Sequence, residues 1–302
     1  MSRIDQALSK SSAGTPGSEH ATPENPWAID APAAPSAAGA RADGVAVVEA
    51  EQPPPPADLL HRTPAAPAEP RSVAPAMAER VVGGTLPPDV VEEYRRLGAL
   101  VHHMQVERGT RVVMVTSALA GEGKTLSSVN LALTLSGSYG RNVLLIDADL
   151  RRPSLHQVFD TVTITGLGDM LRDPTVTPPL VQVTPHLTVL TAGRPDSDPL
   201  RGLTSDRMQQ LLAEAKQTFD FVIIDTPPVG LLTDANLLAA MVDVAFLVVR
   251  AESTSFDLVK RAADAIGRHR IAGVILNRAT DGHREARSYA EYYGAYSSPR
   301  QA

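Results

Sequence analysis

Six short runs of aliphatic and β-branched residues, separated by helix-length segments, occupy the chain from Arg111 onward. They are RVVMVT (111–116), NVLLID (142–147), LTVLTA (187–192), FVIID (221–225), VAFLVV (244–249) and GVILN (273–277). Apolar residues are continuous within each run, which is typical of strands covered by helices on both faces. The pattern predicts an α/β fold with a doubly wound, mostly parallel sheet and a ligand at the carboxyl ends of its strands.

The chain before these runs has a different composition. Its first 88 residues, of 302, contain 15 of the 25 prolines together with many alanines. Such a segment buries too little apolar surface to offset the entropy lost on ordering, so we predict that residues 1–87 are disordered. The remaining length suits one domain. We place it at residues 88–280 and predict a flexible tail at 281–302.

Composition also limits the location and chemistry of the chain. It has no run of about 18 or more apolar residues and no charged-then-apolar leader, which predicts a cytoplasmic protein. The absence of cysteine excludes disulfides, thiol nucleophiles and cysteine-ligated zinc. A net charge of -6 without a long basic block argues against nucleic acid as the main partner.

A glycine-rich segment, ALAGEGKT (118–125), follows the first run directly and leads into a segment with helical spacing. Glycines let the backbone curl so that N–H groups point at phosphate oxygens, and the helix N-terminus adds partial positive charge. The lysine of such a loop bridges the β and γ phosphates, and the following hydroxyl binds magnesium. Because strand, loop and helix occur in the required order, we predict a nucleotide site.

Carboxylates follow two later strands of the predicted sheet. Asp147 and Asp149 lie in LLIDADLRRP, and Asp225 lies in FVIIDTPP. A single aspartate in such a place could be a helix cap or a turn residue. Magnesium, however, prefers oxygen ligands and keeps waters, so three carboxylates beside a phosphate loop predict support for this ion.

A cluster of tyrosines lies near the C-terminus. Four of the six tyrosines fall within eight residues: Tyr289, Tyr292, Tyr293 and Tyr296. Few aliphatic residues surround them, so we expect the phenols to be in water. Each hydroxyl can accept a phosphoryl group, and we predict that these tyrosines are modified.

Taken together, AxxxGEGKT, DADLRRP, DTPP and the tyrosine cluster resemble the bacterial protein-tyrosine kinases of capsule and exopolysaccharide export. The resemblance covers residues 88–302, and in that family the three motifs are called Walker A, A′ and B. It implies a sheet of the P-loop NTPase type, in the branch that includes the partition and septum-site ATPases. Those ATPases carry a signature lysine early in the loop, where this chain has Leu119. The difference favours a kinase.

The resemblance also implies roles for individual residues. ATP and Mg²⁺ are the implied cofactors, and Lys124 and Asp147 are the implied catalytic residues. Asp147 would be the base for the tyrosine hydroxyl, unless it only shapes the ligand site. The implied nucleotide-binding positions are Gly121, Glu122, Gly123, Lys124, Thr125, Leu126 and Asn277. The implied metal positions are Thr125, Asp149 and Asp225. Asn277 matches an asparagine that reads adenine in related ATPases, although an asparagine there could simply close a turn.

The segment EEYRRL lies on a predicted amphipathic helix that begins near Pro88. In family members this segment forms a subunit interface within a closed ring, where each tail enters the neighbouring active site. Gly98 stands where the family pattern has a second arginine. The helix could therefore form a ring contact or pack only on its own domain.

Further partners are implied by the resemblance. Family members are fused to, or activated by, a membrane-embedded polysaccharide chain-length regulator, which here would be a separate chain. A protein-tyrosine phosphatase is a second implied partner. The kinase would then lie at the inner face of the plasma membrane through its activator, and regulate polysaccharide polymerisation and export by ATP-dependent autophosphorylation in trans.

Two other functions are compatible with these motifs. A partition- or septum-site-type ATPase would hydrolyse ATP steadily, switch its assembly state and form no phosphotyrosine. A non-catalytic scaffold would be expected to have a damaged motif. All of the motif residues are present: Lys124, Thr125, Asp147, Asp149 and Asp225. We therefore expect catalysis.

Overall fold

The computed structural model describes residues 73–161, 164–173, 175–177, 180–230 and 233–279. All of them belong to the unit that spans Pro54–Ala302. The predicted disorder before residue 73 and the tyrosine cluster at 289–296 lie outside the described residues.

Helices separate most of the consecutive strands along the described chain. The strands are β1 (Val112–Ser117), β2 (Val143–Asp147), β3 (Leu180–Thr184), β4 (Leu187–Leu190), β5 (Phe221–Asp225), β6 (Val244–Arg250) and β7 (Ile271–Asn277). The α-helices are α1 (Pro88–Arg108), α2 (Lys124–Gly137), α3 (Leu155–Val158), α4 (Leu167–Arg172), α5 (Leu200–Leu203), α6 (Asp206–Thr218), α7 (Thr233–Ala239) and α8 (Phe256–Ile266). Two 3-10 helices lie at Pro75–Arg80 and Arg268–Arg270.

Within the described residues the strands form one sheet in the order β3-β4-β2-β5-β1-β6-β7. Neighbouring strands are parallel except for β3, which is antiparallel to β4. The doubly wound, mostly parallel sheet predicted from the sequence is therefore confirmed. Strand β3 was not predicted, because its run LVQVT is short, polar at its centre and only half-buried.

Helices cover both faces of the sheet. On one face, Met114 of β1 and Ile224 of β5 belong to an apolar cluster with Met208 of α6. On the other face, Val113 of β1 lies in a second cluster with Val101 of α1 and with residues of α2 and α3. Strands β1, β2 and β5 are buried along their whole length. This double coverage is why their apolar residues are continuous.

Residues 73–87 are folded, so the prediction that order begins at residue 88 is wrong. Val81 is 1% exposed and joins the same apolar cluster as α1 and α2. Asn130 fixes the nearby backbone, because its Oδ1 accepts from the Val82 N–H at 2.7 Å and its Nδ2 donates to the Arg80 carbonyl oxygen at 3.0 Å. These contacts join positions about fifty residues apart, which proline content does not reveal.

Helix α1 packs closely against α2. A Cβ atom at the buried Gly98 would lie 2.9 Å from Cε2 of Tyr139 and 3.1 Å from Cγ2 of Thr134. The Tyr139 hydroxyl also donates to the Arg95 carbonyl oxygen at 2.9 Å. The EEYRRL helix therefore contacts its own domain, which was one of the two interpretations of the sequence.

The strand register brings the predicted site together at one edge of the sheet. Asp147 of β2 lies directly opposite Asp225 of β5, and β5 also pairs with β1, the strand that leads into the glycine-rich loop. Within the part of the chain that the structure describes, no helix is long and apolar enough to cross a membrane.

Candidate active site

The glycine-rich loop at 118–125 connects β1 to α2. Gly121 and Gly123 have φ values of 81° and 99°, in the left-handed region that favours glycine. Helix α2 begins at Lys124 without a side-chain cap. The N–H groups of Lys124, Thr125 and Leu126 therefore have no partner within the helix. A curled backbone that ends in free helical donors is the geometry that binds phosphate.

Glu122 turns its side chain into the protein and is only 2% exposed. Its carboxylate accepts hydrogen bonds from the Leu119 N–H at 2.7 Å, the Arg250 N–H at 3.4 Å and the Thr254 hydroxyl. These bonds close the loop on itself and join it to the end of β6 and to the segment that follows β6. The side chain of this predicted nucleotide-binding residue thus holds the loop in shape.

Asn277 ends β7 and contacts the same loop. Its Nδ2 donates to the Glu122 carbonyl oxygen at 2.8 Å, and its Oδ1 accepts from the Arg278 N–H at 2.9 Å. A side chain at Gly123 would collide with this amide. The structure therefore places Asn277 as a support of the phosphate loop, and its reading of adenine stays a prediction.

Asp225 is fully buried at the end of β5. Its Oδ2 accepts from the Thr125 hydroxyl at 2.7 Å and its Oδ1 from the Ser128 hydroxyl at 3.2 Å. Burial raises the pKa of Asp225, and the nearby Lys124 charge and the Thr125 hydrogen bond offset only part of this effect. Asp225 thus positions the hydroxyl that was predicted to bind magnesium.

Lys124 and Asp149 form an ion pair, with Nζ 2.8 Å from Oδ2. Their side chains are 12% and 6% exposed. Burial acts to lower the pKa of Lys124, but the carboxylates of Asp225 and Asp149 outweigh it, and the pKa is raised. The lysine therefore stays positively charged beside the phosphate loop.

Asp147 is fully buried and accepts three backbone hydrogen bonds. Its Oδ2 accepts from the N–H groups of Ser154 and Leu155, both at 3.0 Å, and its Oδ1 from that of Asp149 at 3.2 Å. Burial, with a further contribution from the Asp225 carboxylate, raises the pKa of Asp147 to about 7, although the hydrogen bonds from Leu155 and Ser154 oppose the shift. The carboxylate fixes the loop between β2 and α3, residues 148–154, which we call the A′ loop. The raised pKa of Asp147 is also suitable for a base at neutral pH.

The oxygen atoms present fit a hard divalent cation. The Thr125 hydroxyl touches Asp225, and Asp149 is held next to them by Lys124. Among the described residues, no group of three or more His, Asp or Glu side chains forms a closed metal site. Magnesium bound with a nucleotide needs none, because it keeps waters and phosphate oxygens. Thr125, Asp149 and Asp225 are the residues that could hold it, and this assignment remains a prediction.

Several contributors to the site were not found from the sequence. The Ser154 hydroxyl lies 3.1 Å from that of Thr125, and Ser128 supports Asp225. Arg151 makes a bidentate pair with the buried Asp234, at 2.7 and 3.3 Å, which ties the A′ loop to α7. The sequence contained a weak indication of the role of Ser128, since this residue lies one helical turn after Lys124. It contained no indication of the role of Asp234, which is 83 residues from its partner.

The sheet, the loop and the carboxylates together define a P-loop NTPase. In agreement, the family model described as "ParA: NUBPL iron-transfer P-loop NTPase" matches residues 108–296. This match covers more than half of the chain and confirms the predicted fold type, and a P-loop NTPase fold implies nucleotide binding.

The curated relatives show which kind of P-loop NTPase this chain resembles. Tyrosine-protein kinase YwqD of Bacillus subtilis is 34% identical over 206 residues, which cover 67% of this chain and 86% of the relative. Tyrosine-protein kinase CpsD of Streptococcus agalactiae is 32% identical, covering 60% and 81% of the two chains. The solved kinase domain of Escherichia coli tyrosine kinase ETK is 29% identical, with a TM-score of 0.57 and coverage of 63% and 77%. The chain belongs to the bacterial tyrosine-protein kinase family.

Proposed function

We propose that this kinase uses ATP and Mg²⁺ to phosphorylate the tyrosine cluster of its own C-terminal segment, on a second copy of the chain. The hydrogen-bonded set formed by Lys124, Thr125, Asp149 and Asp225 is the observation that supports this function most directly. It combines a positive charge for phosphates with oxygen ligands for the metal at one edge of the sheet.

Each member of this set has a defined task in the proposed reaction. The free N–H groups at the start of α2 and the Lys124 ammonium bind the β and γ phosphates and offset their charge. Mg²⁺ would neutralise the charge that develops between these phosphates. Thr125, oriented by Asp225, and Asp149 would hold the ion directly or through water.

The proposed transfer joins the phenol oxygen to the γ-phosphorus as the bond from this phosphorus to the β–γ bridging oxygen breaks, so that ADP leaves. The phenol proton moves to Asp147. With a phenol pKa near 10, only about one hydroxyl in a thousand is ionised at pH 7, so a base is useful. A loose transition state asks mainly for positioning and charge neutralisation. The electrostatic roles therefore carry more of the rate than the base.

The biological role that we propose is regulation of capsular or exopolysaccharide polymerisation and export. Curated relatives named EpsB and AmsA are putative tyrosine-protein kinases, and a solved structure called the chimerical protein CapA2B2 is 27% identical to this chain with a TM-score of 0.61. We propose that a membrane-embedded chain-length regulator activates this chain at the inner face of the plasma membrane. A tyrosine phosphatase would reverse the modification.

Mass spectrometry of the purified full chain after incubation with ATP and magnesium tests this function. We expect added phosphoryl groups on the cluster Tyr289, Tyr292, Tyr293 and Tyr296. Lys124→Met should abolish them, because the phosphates lose their cationic partner. Mixing a Lys124→Met chain with an active chain that lacks the four tyrosines should restore them if transfer occurs in trans.

The same assay separates the alternatives. Steady ATP hydrolysis without phosphotyrosine, with the activating partner present, would indicate an assembly-switching ATPase of the partition type. Asp147→Asn should abolish phosphotyrosine while ATP binding persists. A loss of ATP binding in this variant would show that Asp147 only shapes the ligand site.

A further inference from the structure

A cavity with a volume of about 380 Å³ lies beside the candidate active site. This volume is in the range of ligand pockets, roughly 300–1,000 Å³. Its lining consists of Arg151, Arg152, Pro153, His156, Gln157, Gly193, Arg194 and Pro195. The lining includes three arginines and neither aspartate nor glutamate, so the cavity suits an anion. We call it the arginine cavity.

Two segments form the arginine cavity, residues 151–157 and 193–195, and backbone and side-chain contacts nearby fix them to each other. The Asp196 N–H donates to the Leu150 carbonyl oxygen at 2.8 Å, and Arg151 donates from Nη1 to the Ser197 carbonyl oxygen at 2.6 Å. Gly193 has a φ of 84°, and prolines follow both Arg152 and Arg194 in the sequence. The walls are therefore formed before a ligand binds, which lowers the entropic cost of binding.

The three arginines are not equivalent. Arg151 is bound to the buried Asp234, so its charge is already compensated. Arg152 and Arg194 are exposed and, within the described part of the chain, their side chains have neither a hydrogen bond nor an ion pair. Asp196, which follows the cavity in sequence, is held by Arg172 at 2.9 Å. Two guanidinium groups therefore remain available, and a guanidinium binds phosphate through two parallel hydrogen bonds.

The arginine cavity adjoins the residues that act on the γ-phosphate. The backbone N–H of Arg152 donates to Oδ1 of Asp149 at 3.1 Å, and the other oxygen of this carboxylate contacts Lys124. The next residues, Ser154 and Leu155, donate to Asp147. A peptide whose tyrosine reaches Asp147 would therefore place its neighbouring residues near the cavity.

The spacing within the tyrosine cluster suits this arrangement. Tyr292 lies three residues after Tyr289 and four before Tyr296. An extended peptide advances about 3.3–3.6 Å per residue, so tyrosines three or four positions apart reach sites roughly 10–14 Å apart. A tyrosine that is already phosphorylated could occupy the cavity while another lies at the active site.

We propose that the arginine cavity binds a phosphotyrosine of the C-terminal segment and thereby favours phosphorylation of a second tyrosine three or four residues away. This inference rests on the proposed function, and it names the preferred substrate as a tail that carries one phosphate already. The later phosphorylation steps are then faster than the first.

Peptides of residues 286–299 with one acceptor, Tyr292, test the inference. In the first peptide the other three tyrosines are replaced by phenylalanine. A second peptide carries phosphotyrosine at position 289 instead of phenylalanine, and a third carries it at position 296. The enzyme is the full chain with its four tail tyrosines changed to phenylalanine, so that it does not compete as substrate. Charge-assisted hydrogen bonds contribute enough to lower KM about tenfold or more for at least one phosphorylated peptide.

Variants of the cavity provide the matched comparison. Arg194→Ala, alone or with Arg152→Ala, should bring the ratio of the KM for the unphosphorylated peptide to the KM for the phosphorylated peptide close to one. Arg201→Ala removes an exposed arginine outside the cavity and should keep the ratio. Fluorescence anisotropy of the labelled phosphopeptides, without ATP, should show weaker binding to Arg194→Ala and unchanged binding to Arg201→Ala. Inorganic phosphate should compete far less well than free phosphotyrosine.

Each contrary result has one meaning. Equal KM values for phosphorylated and unphosphorylated peptides would overturn the inference and leave the proposed kinase function intact. An Arg194→Ala chain with a raised KM for ATP but an unchanged peptide ratio would assign the cavity to the nucleotide. If no peptide is phosphorylated even with the activating partner present, the proposed function fails, and the anisotropy measurement still decides whether the cavity binds phosphotyrosine.

Discussion

The carboxyl group of Asp147 combines full burial with three backbone donors, and its pKa of about 7 has a consequence for stability. An unfolded aspartate has a pKa of 3.8, so between this value and about 7 the folded chain binds a proton that the unfolded chain has lost. Stability rises with pH only where the unfolded state binds more protons. The contribution of Asp147 is therefore largest below about pH 4 and is lost as the pH rises through about 7.

Asp147→Asn removes this titration. The free energy of unfolding is measured by denaturant titration without nucleotide or magnesium. As the pH rises from about 4 to about 8, it should fall further for the wild-type chain than for the variant. Because other carboxyl groups titrate in both proteins, the difference between the two curves is the quantity to measure. Parallel curves would contradict the raised pKa.

Glu122→Gln tests the side chain that holds the phosphate loop. The Glu122 carboxylate offers two acceptor oxygens to its three donors, whereas the amide of the variant offers only one. The NH₂ group of the amide would face donors that it cannot accept from. Leaving a buried donor unpaired costs about 1–3 kcal/mol, so we expect a lower free energy of unfolding and weaker ATP binding. Glu93→Gln, on the exposed face of α1, should change neither quantity measurably. Unchanged ATP affinity in Glu122→Gln would show that the loop keeps its shape without this carboxylate.

At the scale of elements, Gly98 and Gly137 form a natural pair for comparison. Gly98→Ala would press a methyl group against Tyr139 and Thr134, where α1 crosses α2, whereas nothing lies within 4 Å of a Cβ at Gly137. Overpacking costs typically 1–3 kcal/mol, and alanine is better than glycine in a helix by up to about 1 kcal/mol. We expect Gly98→Ala to lower the free energy of unfolding in denaturant titrations and Gly137→Ala to keep or raise it. Equal effects would mean that α1 and α2 can separate slightly at no cost.

The elements also show what a sequence can predict. Central strands were found because burial on both faces leaves an uninterrupted apolar run, and the site motifs were found because P-loop chemistry fixes their order along the chain. Edge strand β3 and residues 73–87 were missed, since each is stabilised by contacts with distant segments. The carboxylate of Glu122 and the Arg151–Asp234 pair were missed for the same reason: side-chain partners depend on the three-dimensional fold.

At the scale of the whole molecule, charge on the C-terminal segment should control association. From Arg278 to the end, four arginines oppose three acidic residues, which gives a formal charge of +1. Each phosphotyrosine adds about -1.5 to -2, so four would bring the segment to roughly -5 to -7. In gel filtration before and after incubation with ATP, we expect unmodified chains to associate and chains that carry all four phosphates to separate. An unchanged elution volume, with phosphorylation verified by mass spectrometry, would contradict this expectation.

The ion pair between Lys124 and Asp149 means that loading the site is an exchange of partners. While the pair is intact, the buried lysine and the carboxylate neutralise each other, so the chain can fold without waiting for its substrate. An incoming triphosphate competes with Asp149 for the ammonium group, and the released carboxylate then requires a cation of its own. Nucleotide and metal should therefore each improve the affinity of the other, and the magnesium complex should load more readily than either component alone.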